Sequence, residues 1–321
     1  MATLPATPRK VARGASRELV LLGVLIVLIV VMSIASPLFL TVGNLLNTSR
    51  FYVEPGLIAL GMTLVIITGG IDLSVGAALA LVSVVIGFAS AKGVPLELAL
   101  VLGLLTGVAC GAFNGAFITL LDLNPLVVTL ATFALFRGIA FVISDAGAVS
   151  TFPSWFEAFG QWYVGPVPLQ LFVFAVAAVA IGLLLARGRF GRYVRAIGYN
   201  REAARFSGVP IGRVTIAVYV LTGVLVALAA IIYTSRVSSA RADSGLGLEL
   251  DVIAAVVLGG ASVRGGSGTI TATVLGVLII AVLRNGLFMA GVPSTWQLVI
   301  LGAVLIGAVF ANEFFRREDS S

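Results

Sequence analysis

Long apolar runs, separated by short polar or basic stretches, organise the chain. About 20 apolar residues cross a hydrocarbon core. Runs of that kind lie near residues 19–36, 56–71, 74–90, 97–121, 125–143, 168–186, 214–234, 249–262, 268–286 and 294–312. A bilayer offers no water to unpaired backbone groups, so a spanning chain is a helix or a closed barrel, and a barrel shows alternating segments of about 10 residues. The unbroken runs predict an all-α integral membrane protein with about ten transmembrane helices. Two places interrupt the pattern. Thr68-Gly69-Gly70-Ile71-Asp72-Leu73-Ser74-Val75-Gly76 sets small residues and a carboxylate between apolar stretches, and Leu258-Gly259-Gly260 through Gly265-Gly266 echoes it. Gly69, Gly70 and Gly76 fall on Gly259, Gly260 and Gly266 at a common spacing of 190 residues. The run 249–262 is short for a crossing and reads as a tilted or discontinuous half-helix. Irregular backbone at membrane depth persists only where protein or a water-filled path surrounds it, and paired glycine-interrupted segments point to a transport pathway. Simple helix packing is the other reading of such glycines.

Composition sharpens this picture. Of 321 residues, 60% are hydrophobic and 11% charged, against about 25% charged in soluble domains. The net charge of +6 does not point to nucleic acid, because the basic residues flank apolar runs instead of lining an aromatic-bearing face. Arg9, Lys10, Arg13 and Arg17 precede the first run, which is too long for a signal-peptide core. Residues 1–18 are therefore expected as a cytoplasmic tail before a retained helix. Six crossings return the chain inside, where Arg187, Arg189, Arg192, Arg195, Arg201, Arg205 and Arg213 cluster, as the positive-inside rule requires. A single domain over 19–312, with a cytoplasmic segment at 187–213 and a cytoplasmic tail at 313–321, completes the topology, with both termini inside a bacterial plasma membrane. The outer segment 144–167 lacks Lys and Arg but holds Trp155, Trp162 and Tyr163, an interfacial belt. Arg236 and Arg241 run against the charge rule by falling outside.

The chain has no histidine and one cysteine, Cys110. No disulfide can form within it, the commonest metal ligand is missing, and no cofactor or metal is expected. Its two lysines, Lys10 and Lys92, do not follow glycine, so the G-x-x-x-x-G-K-[ST] phosphate loop is excluded. ATP-driven work would need another chain.

Among candidate pathway groups, Asp72 is a costly intramembrane carboxylate able to bond a hydroxylated solute. Asp72 and Ser74 also stand where they would cap the following helix, and a cap at a pathway serves both purposes. Gly103, Gly107, Gly111 and Gly115 recur on one helical face and favour close helix approach. Asn114 and Asn285 bond either across helices or to a solute. Arg137, inside an apolar run, must snorkel, pair or line water. On the inner side, Asn200 is placed to cap a short helix, Arg201-Glu202-Ala203-Ala204-Arg205-Phe206-Ser207, closed by Gly208 with Pro210 beyond. This helix reads as a docking element, or as an arginine-rich helix lying on anionic membrane lipid. Arg236 and Arg241 read as a docking site for an acidic partner or as solvated loop charges.

Three stretches resemble the permease subunits of bacterial ABC importers for monosaccharides, the ribose, xylose and galactose permease family. They are Gly61 to Gly76, carrying Gly69-Gly70-Ile71-Asp72-Leu73-Ser74; Gly191 to Asn200 continuing through Glu202-Ala203-Ala204 to Gly208; and Leu258-Gly259-Gly260 through Gly268-Thr269 to Asn285-Gly286 and Trp296-Gln297. The resemblance spans about 40–312. It implies a ten-helix, type II importer-like permease paired with a second copy or a paralogue, two ATPase subunits beneath, and a periplasmic or lipid-anchored sugar-binding protein above. Glu202-Ala203-Ala204 to Gly208 is similar to the EAA loop that seats a short helix on the ATPase; the later isoleucine and Leu-Pro portion of that loop is absent. Gly69, Gly70, Asp72, Ser74, Asn114, Gly259, Gly260 and Asn285 are thereby candidates for the pathway. Asn200, Glu202, Ala203, Ala204, Arg205 and Gly208 are candidates for coupling, and Arg236 and Arg241 for docking the binding protein. A branched-chain amino-acid permease of the same superfamily is the alternative within transport. A stand-alone secondary transporter or channel is the alternative from another class, opposed by the missing histidines and the few intramembrane carboxylates.

Overall fold

A computed structural model describes the backbone of residues 8–318 and the side chains of residues 18–307 and 310. Residues 1–7 and 319–321 of the two expected tails lie outside the described residues. In chain order the helices are α1 (Pro8–Ala35), α2 (Val42–Phe51), α3 (Val53–Ile67), α4 (Val75–Ala91), α5 (Leu96–Leu120), α6 (Pro125–Ser144), α7 (Ser154–Phe159), α8 (Leu169–Arg187), α9 (Arg189–Tyr199), α10 (Arg201–Phe206), α11 (Ile211–Val237), α12 (Leu248–Leu258), α13 (Ile270–Met289) and α14 (Ser294–Glu318). Two-residue strands β1 (Ala148–Val149) and β4 (Ala240–Arg241) pair antiparallel, as do β2 (Tyr163–Val164) and β3 (Val167–Pro168).

Each apolar run named from the sequence coincides with a helix. Among the described residues, however, length and composition alone qualify six of them to cross a membrane: α5, α6, α8, α11, α13 and the Glu18–Ala35 part of α1. The pair α2–α3, bent by 45°, makes a seventh if counted as one span. The shortfall from ten comes from α4, α12 and the apolar part of α14, which are shorter. The helices α2, α7 and amphipathic α9 were not foreseen, since none belongs to a long apolar run.

The core is built around α3, whose residues Leu57, Ile58, Leu60, Met62, Leu64, Ile66 and Ile67 are fully buried. A helix apolar on every side belongs at the centre of a bundle. The outer faces of α1, α6 and α8 instead show Ile34, Val142 and Val176 to the surroundings, an apolar exterior suited to lipid and too extensive for a soluble monomer.

The glycine stripe of α5 explains its closest pairing. A methyl group at Gly107 would meet the Gly223 carbonyl oxygen at 2.5 Å, and one at Gly115 would meet the Ile216 Cα at 2.8 Å. The stripe therefore lies backbone to backbone against α11, except at Gly103, which receives the Ile86 side chain of α4. Packing is the reading that holds for these four residues.

The two breaks are built alike. Beyond α3, Gly69 N–H donates to the Ile66 carbonyl (2.9 Å) and Gly70 N–H to the Val65 carbonyl (3.0 Å); beyond α12, Gly260 N–H donates to Val257 (2.8 Å) and Ala261 N–H to Val256 (3.1 Å). These are paired Schellman closures, whose central residue takes a left-handed conformation that glycine adopts without a Cβ clash. Gly69 (φ +84°) and Gly260 (φ +86°) occupy it. The structural equivalence thus pairs Gly69 with Gly260, one residue away from the spacing read in the sequence. Gly259 corresponds to Thr68, and Gly266 has no equivalent role to Gly76.

Candidate functional site

The first break places four polar groups in the bundle. Asp72 sits between α3 and α4, and its Oδ1 accepts from the Ser74 backbone N–H (2.9 Å) and the Ser74 hydroxyl (2.6 Å). Asn114 of α5 donates through Nδ2 to Ser74 Oγ (2.9 Å). Thr129 of α6 donates to the Ile71 carbonyl (2.9 Å). Asp72, Ser74 and Asn114 are all buried. The expected cap does not form: Ser74 opens α4 without a side-chain bond to its free amides. Its hydroxyl is already engaged by Asp72 and Asn114, and the carboxylate closes a tight turn on Ser74 in place of capping α4.

Two buried atoms here, Asn114 Oδ1 and the Tyr219 hydroxyl, have no hydrogen-bond partner among the described residues. Tyr219, from α11, carries no motif in the sequence. It would have been found only through the contact at Gly70, where a methyl would meet its hydroxyl at 2.8 Å. Asp72, Ser74, Asn114, Cys110, Gly111, Thr222 and Gly223 line a cavity of about 10 Å³, close to the least volume that holds one water.

The second break does not join this cluster. Gly259 packs on the Thr273 backbone of α13, 3.0 Å from where its methyl would stand. Its following loop reaches the end of α3 instead: Gly266 N–H donates to the Ile67 carbonyl (2.8 Å). A methyl at Gly265 would stand 3.0 Å from Gly69 N and 2.9 Å from the Gly198 carbonyl of α9. Both breaks and the arginine-rich segment thus meet at one point.

Asn285 is placed elsewhere. Asn44 Nδ2 donates to Asn285 Oδ1 (2.8 Å) and Asn285 Nδ2 donates back to Asn44 Oδ1 (3.0 Å), so its amide ties α13 to α2 and the interhelical reading holds. Intramembrane side-chain bonds contribute about 0.6 kcal/mol, at most about 1.7. Asn285→Leu is accordingly expected to lower thermal stability by a few degrees with uptake retained; loss of uptake in a folded variant would return Asn285 to the pathway.

In the arginine-rich segment, Asn200 Oδ1 accepts from Ala203 N–H (2.9 Å) and caps α10, while Gly208 closes it. The helix forms where its cap and glycine predict. Ala204 is buried; Asn200, Glu202, Ala203, Arg205 and Gly208 are exposed, and so is Phe206, at 90%. Arg201 pairs with Asp122 of the α5–α6 loop (3.1 Å).

The two arginines expected on the outer side part company. Arg236 is enclosed: its Nε donates to Glu54 of α3 (2.7 Å) and its guanidinium lies 4.6 Å from the Phe51 ring centre. Its guanidinium is thus held by a carboxylate of its own bundle. Arg241 holds both carboxylate oxygens of Asp243 (2.8 Å each) and is exposed; the same guanidinium pulls the Asp243 carboxyl below its usual range. Each of the two arginines thus has a carboxylate of this chain beside it.

Comparison with known proteins agrees with this architecture. Residues 43–309 match the family described as "Branched-chain amino acid transport system / permease component". The chain is 45% identical over 290 residues to the ribose import permease protein RbsC of Bacillus subtilis (strain 168), covering 90% of each chain. It is 39% identical to the autoinducer 2 import system permease protein LsrD of Klebsiella pneumoniae (92% of this chain, 91% of the relative). It is 38% identical to LsrD of Escherichia coli (strain K12) (91% and 90%). No solved structure matches. With a buried polar break, a multi-pass apolar bundle and full-length similarity to import permeases, the chain belongs to the family of branched-chain amino acid transport system permease components, which holds those relatives.

Proposed function

We propose that the chain is the transmembrane permease subunit of an ABC importer that carries a monosaccharide, or a related polyol or sugar-derived solute, into the bacterial cytoplasm. The carrying observation is the 45% identity, along 90% of both chains, to a ribose import permease. The autoinducer-2 permeases at 38–39% keep the cargo within sugar-like solutes. The family description favours a second reading, branched-chain amino acids. Thermal shift of the cognate binding protein separates the two, since a ligand stabilises the fold it binds: a pentose or hexose raising its melting temperature supports the first reading, leucine the second.

In this reading ten segments cross the membrane, α2–α3 as one bent crossing and the shorter helices with them, and both termini are cytoplasmic. Separate ATPase subunits hydrolyse ATP, so the chain itself is not the enzyme. They seat on α10, where Glu202, Arg205 and Phe206 are exposed. A periplasmic or lipid-anchored sugar-binding protein docks outside, with Arg241 the remaining arginine available to it. A second copy or a paralogue completes the pathway beside Asp72, Ser74 and Asn114. Because the end of α9 touches both breaks, motion at α9–α10 reaches Gly69 and Gly265 without a flexible linker. Alternating access then follows from ATP-driven displacement of α9–α10, which shifts the two broken helices together. Few polar groups face the path, as release of cargo requires.

Glu202→Arg tests the coupling assignment. Reversing an exposed interfacial charge weakens a complementary contact, so ATPase co-purification and uptake are expected to fall about tenfold, a loss of about 1.4 kcal/mol. Intact co-purification and uptake would remove α10 from the ATPase interface.

A further inference from the structure

The amide of Asn114 is only half used. Its Nδ2 donates to Ser74 Oγ (2.9 Å), and Ser74 Oγ donates in turn to Asp72 Oδ1 (2.6 Å). A hydroxyl carries a single hydrogen, so Ser74 can only accept from Asn114, and this fixes which way the amide faces. Its other atom, Oδ1, is an acceptor on a side chain just 1% exposed and has no partner among the described residues. Asn114 lines the cavity of about 10 Å³, room for one oxygen atom. The hydroxyls of that lining are already committed, Ser74 to Asp72 and Thr222 to the Val218 carbonyl (2.9 Å). Asp72, whose bonds from Ser74 both fall on Oδ1, lines the same space. So does Val75, the first residue of α4, and no side chain caps the free amides with which that helix opens. An unused acceptor and uncapped donors thus stand at one small cavity, and a buried acceptor left without a donor is costly.

We infer that this cavity is a binding site for one O–H group, which donates to Asn114 Oδ1 and accepts from the opening amides of α4 beside Asp72. A water has the size and the chemistry, and so has a single hydroxyl of a sugar-like cargo. An ammonium group has donors only, and a branched aliphatic side chain has neither donor nor acceptor. A group that displaces an ordered water without reproducing its hydrogen bonds loses affinity. Asn114 therefore favours hydroxylated cargo over branched-chain amino acids at this point of the path. The choice of cargo rests on the importer reading; the O–H site itself does not.

The test uses the full-length protein in lipid nanodiscs. Cys110, the single cysteine, is buried and lines the cavity, so it serves as the reporter: a brief X-ray pulse splits bound water into hydroxyl radicals that oxidise a neighbouring thiol. Asn114→Leu keeps the volume of the side chain and removes the acceptor, and small apolar cavities stay dry. Oxidation of Cys110 is expected to fall at least about fivefold, as loss of one hydrogen bond holding the water predicts. Ala78→Val fills the space from α4 with every polar group retained and is expected to give the same fall, so it decides the matter if Asn114→Leu fails to accumulate. Neither variant needs a cargo, so the importer reading can fail while the site stands. D-ribose and L-leucine, added separately to the unmodified protein, then tell the two sources apart. A fall with D-ribose and none with L-leucine puts a cargo hydroxyl in place of the water, and no change with either puts a resident water there; the O–H site stands in both cases. A fall with L-leucine equal to that with D-ribose would overturn the preference for hydroxyls. Oxidation at the unmodified rate in Asn114→Leu, or in Ala78→Val where only that protein accumulates, would overturn the site.

Discussion

Gly198→Ala is expected to abolish uptake, by at least about 100-fold, while the protein still folds and inserts. At this position α9 has no space for one methyl group: it would fall on the Ile67 carbonyl oxygen and the Gly266 nitrogen, which are bonded to each other at 2.8 Å. All the atoms in the way are backbone, so no side chain can turn aside, and overpacking of this kind costs about 1–3 kcal/mol even where relaxation is possible. The relaxation available is to move α9 off the two breaks, which severs the proposed link between the inner segment and the pathway. A loss of about 2.7 kcal/mol in the transport barrier corresponds to 100-fold. Gly182→Ala in α8 is the control, since its methyl would meet nothing closer than 3.9 Å. Uptake by Gly198→Ala within twofold of the control would show that movement does not pass through this contact.

Gly111→Leu is expected to prevent accumulation of folded protein. A methyl there overlaps the Tyr219 carbonyl oxygen and stands 3.0 Å from the Val220 Cα. A whole isobutyl group must push α5 from α11, the most extensive helix pair in the molecule. Separation also opens the Gly107–Gly223 and Gly115–Ile216 contacts. Losing a close-packed seam exceeds the usual overpacking cost of about 3 kcal/mol and approaches the whole stability of a typical domain, roughly 5–15 kcal/mol. Gly138→Leu in α6, with nothing within 4 Å of its added carbon, is expected to accumulate normally. Detergent extraction followed by size-exclusion chromatography reads both; a monodisperse Gly111→Leu protein would contradict the seam.

Neither glycine differs from its control in sequence context, since all four sit in helices. That contrast marks the limit of what was legible. Ten apolar runs became ten helices because hydrocarbon leaves a backbone little choice but to bond itself, and that constraint is written in composition. The α10 helix was legible for a similar reason: Asn200 and Gly208 act on neighbours within a few residues. The break at 68–74 was visible because glycine and aspartate interrupt an apolar run whatever surrounds them.

The sequence by itself therefore determined an all-helical membrane protein, its two interruptions, its arginine-rich segment and the short capped helix within it. Only the tertiary structure decided the partners. Arg137 meets the backbone carbonyls of Ala242 and Ser244, which carry no sequence signature; Arg236 meets Glu54, 182 residues away in sequence; Asn285 meets Asn44; and the second break meets α9 instead of Asp72. Local rules act through bonds a few residues long, whereas these contacts depend on how buried helices and irregular loops close on one another. That closure is governed by shape and by the demand that every buried polar group find a partner.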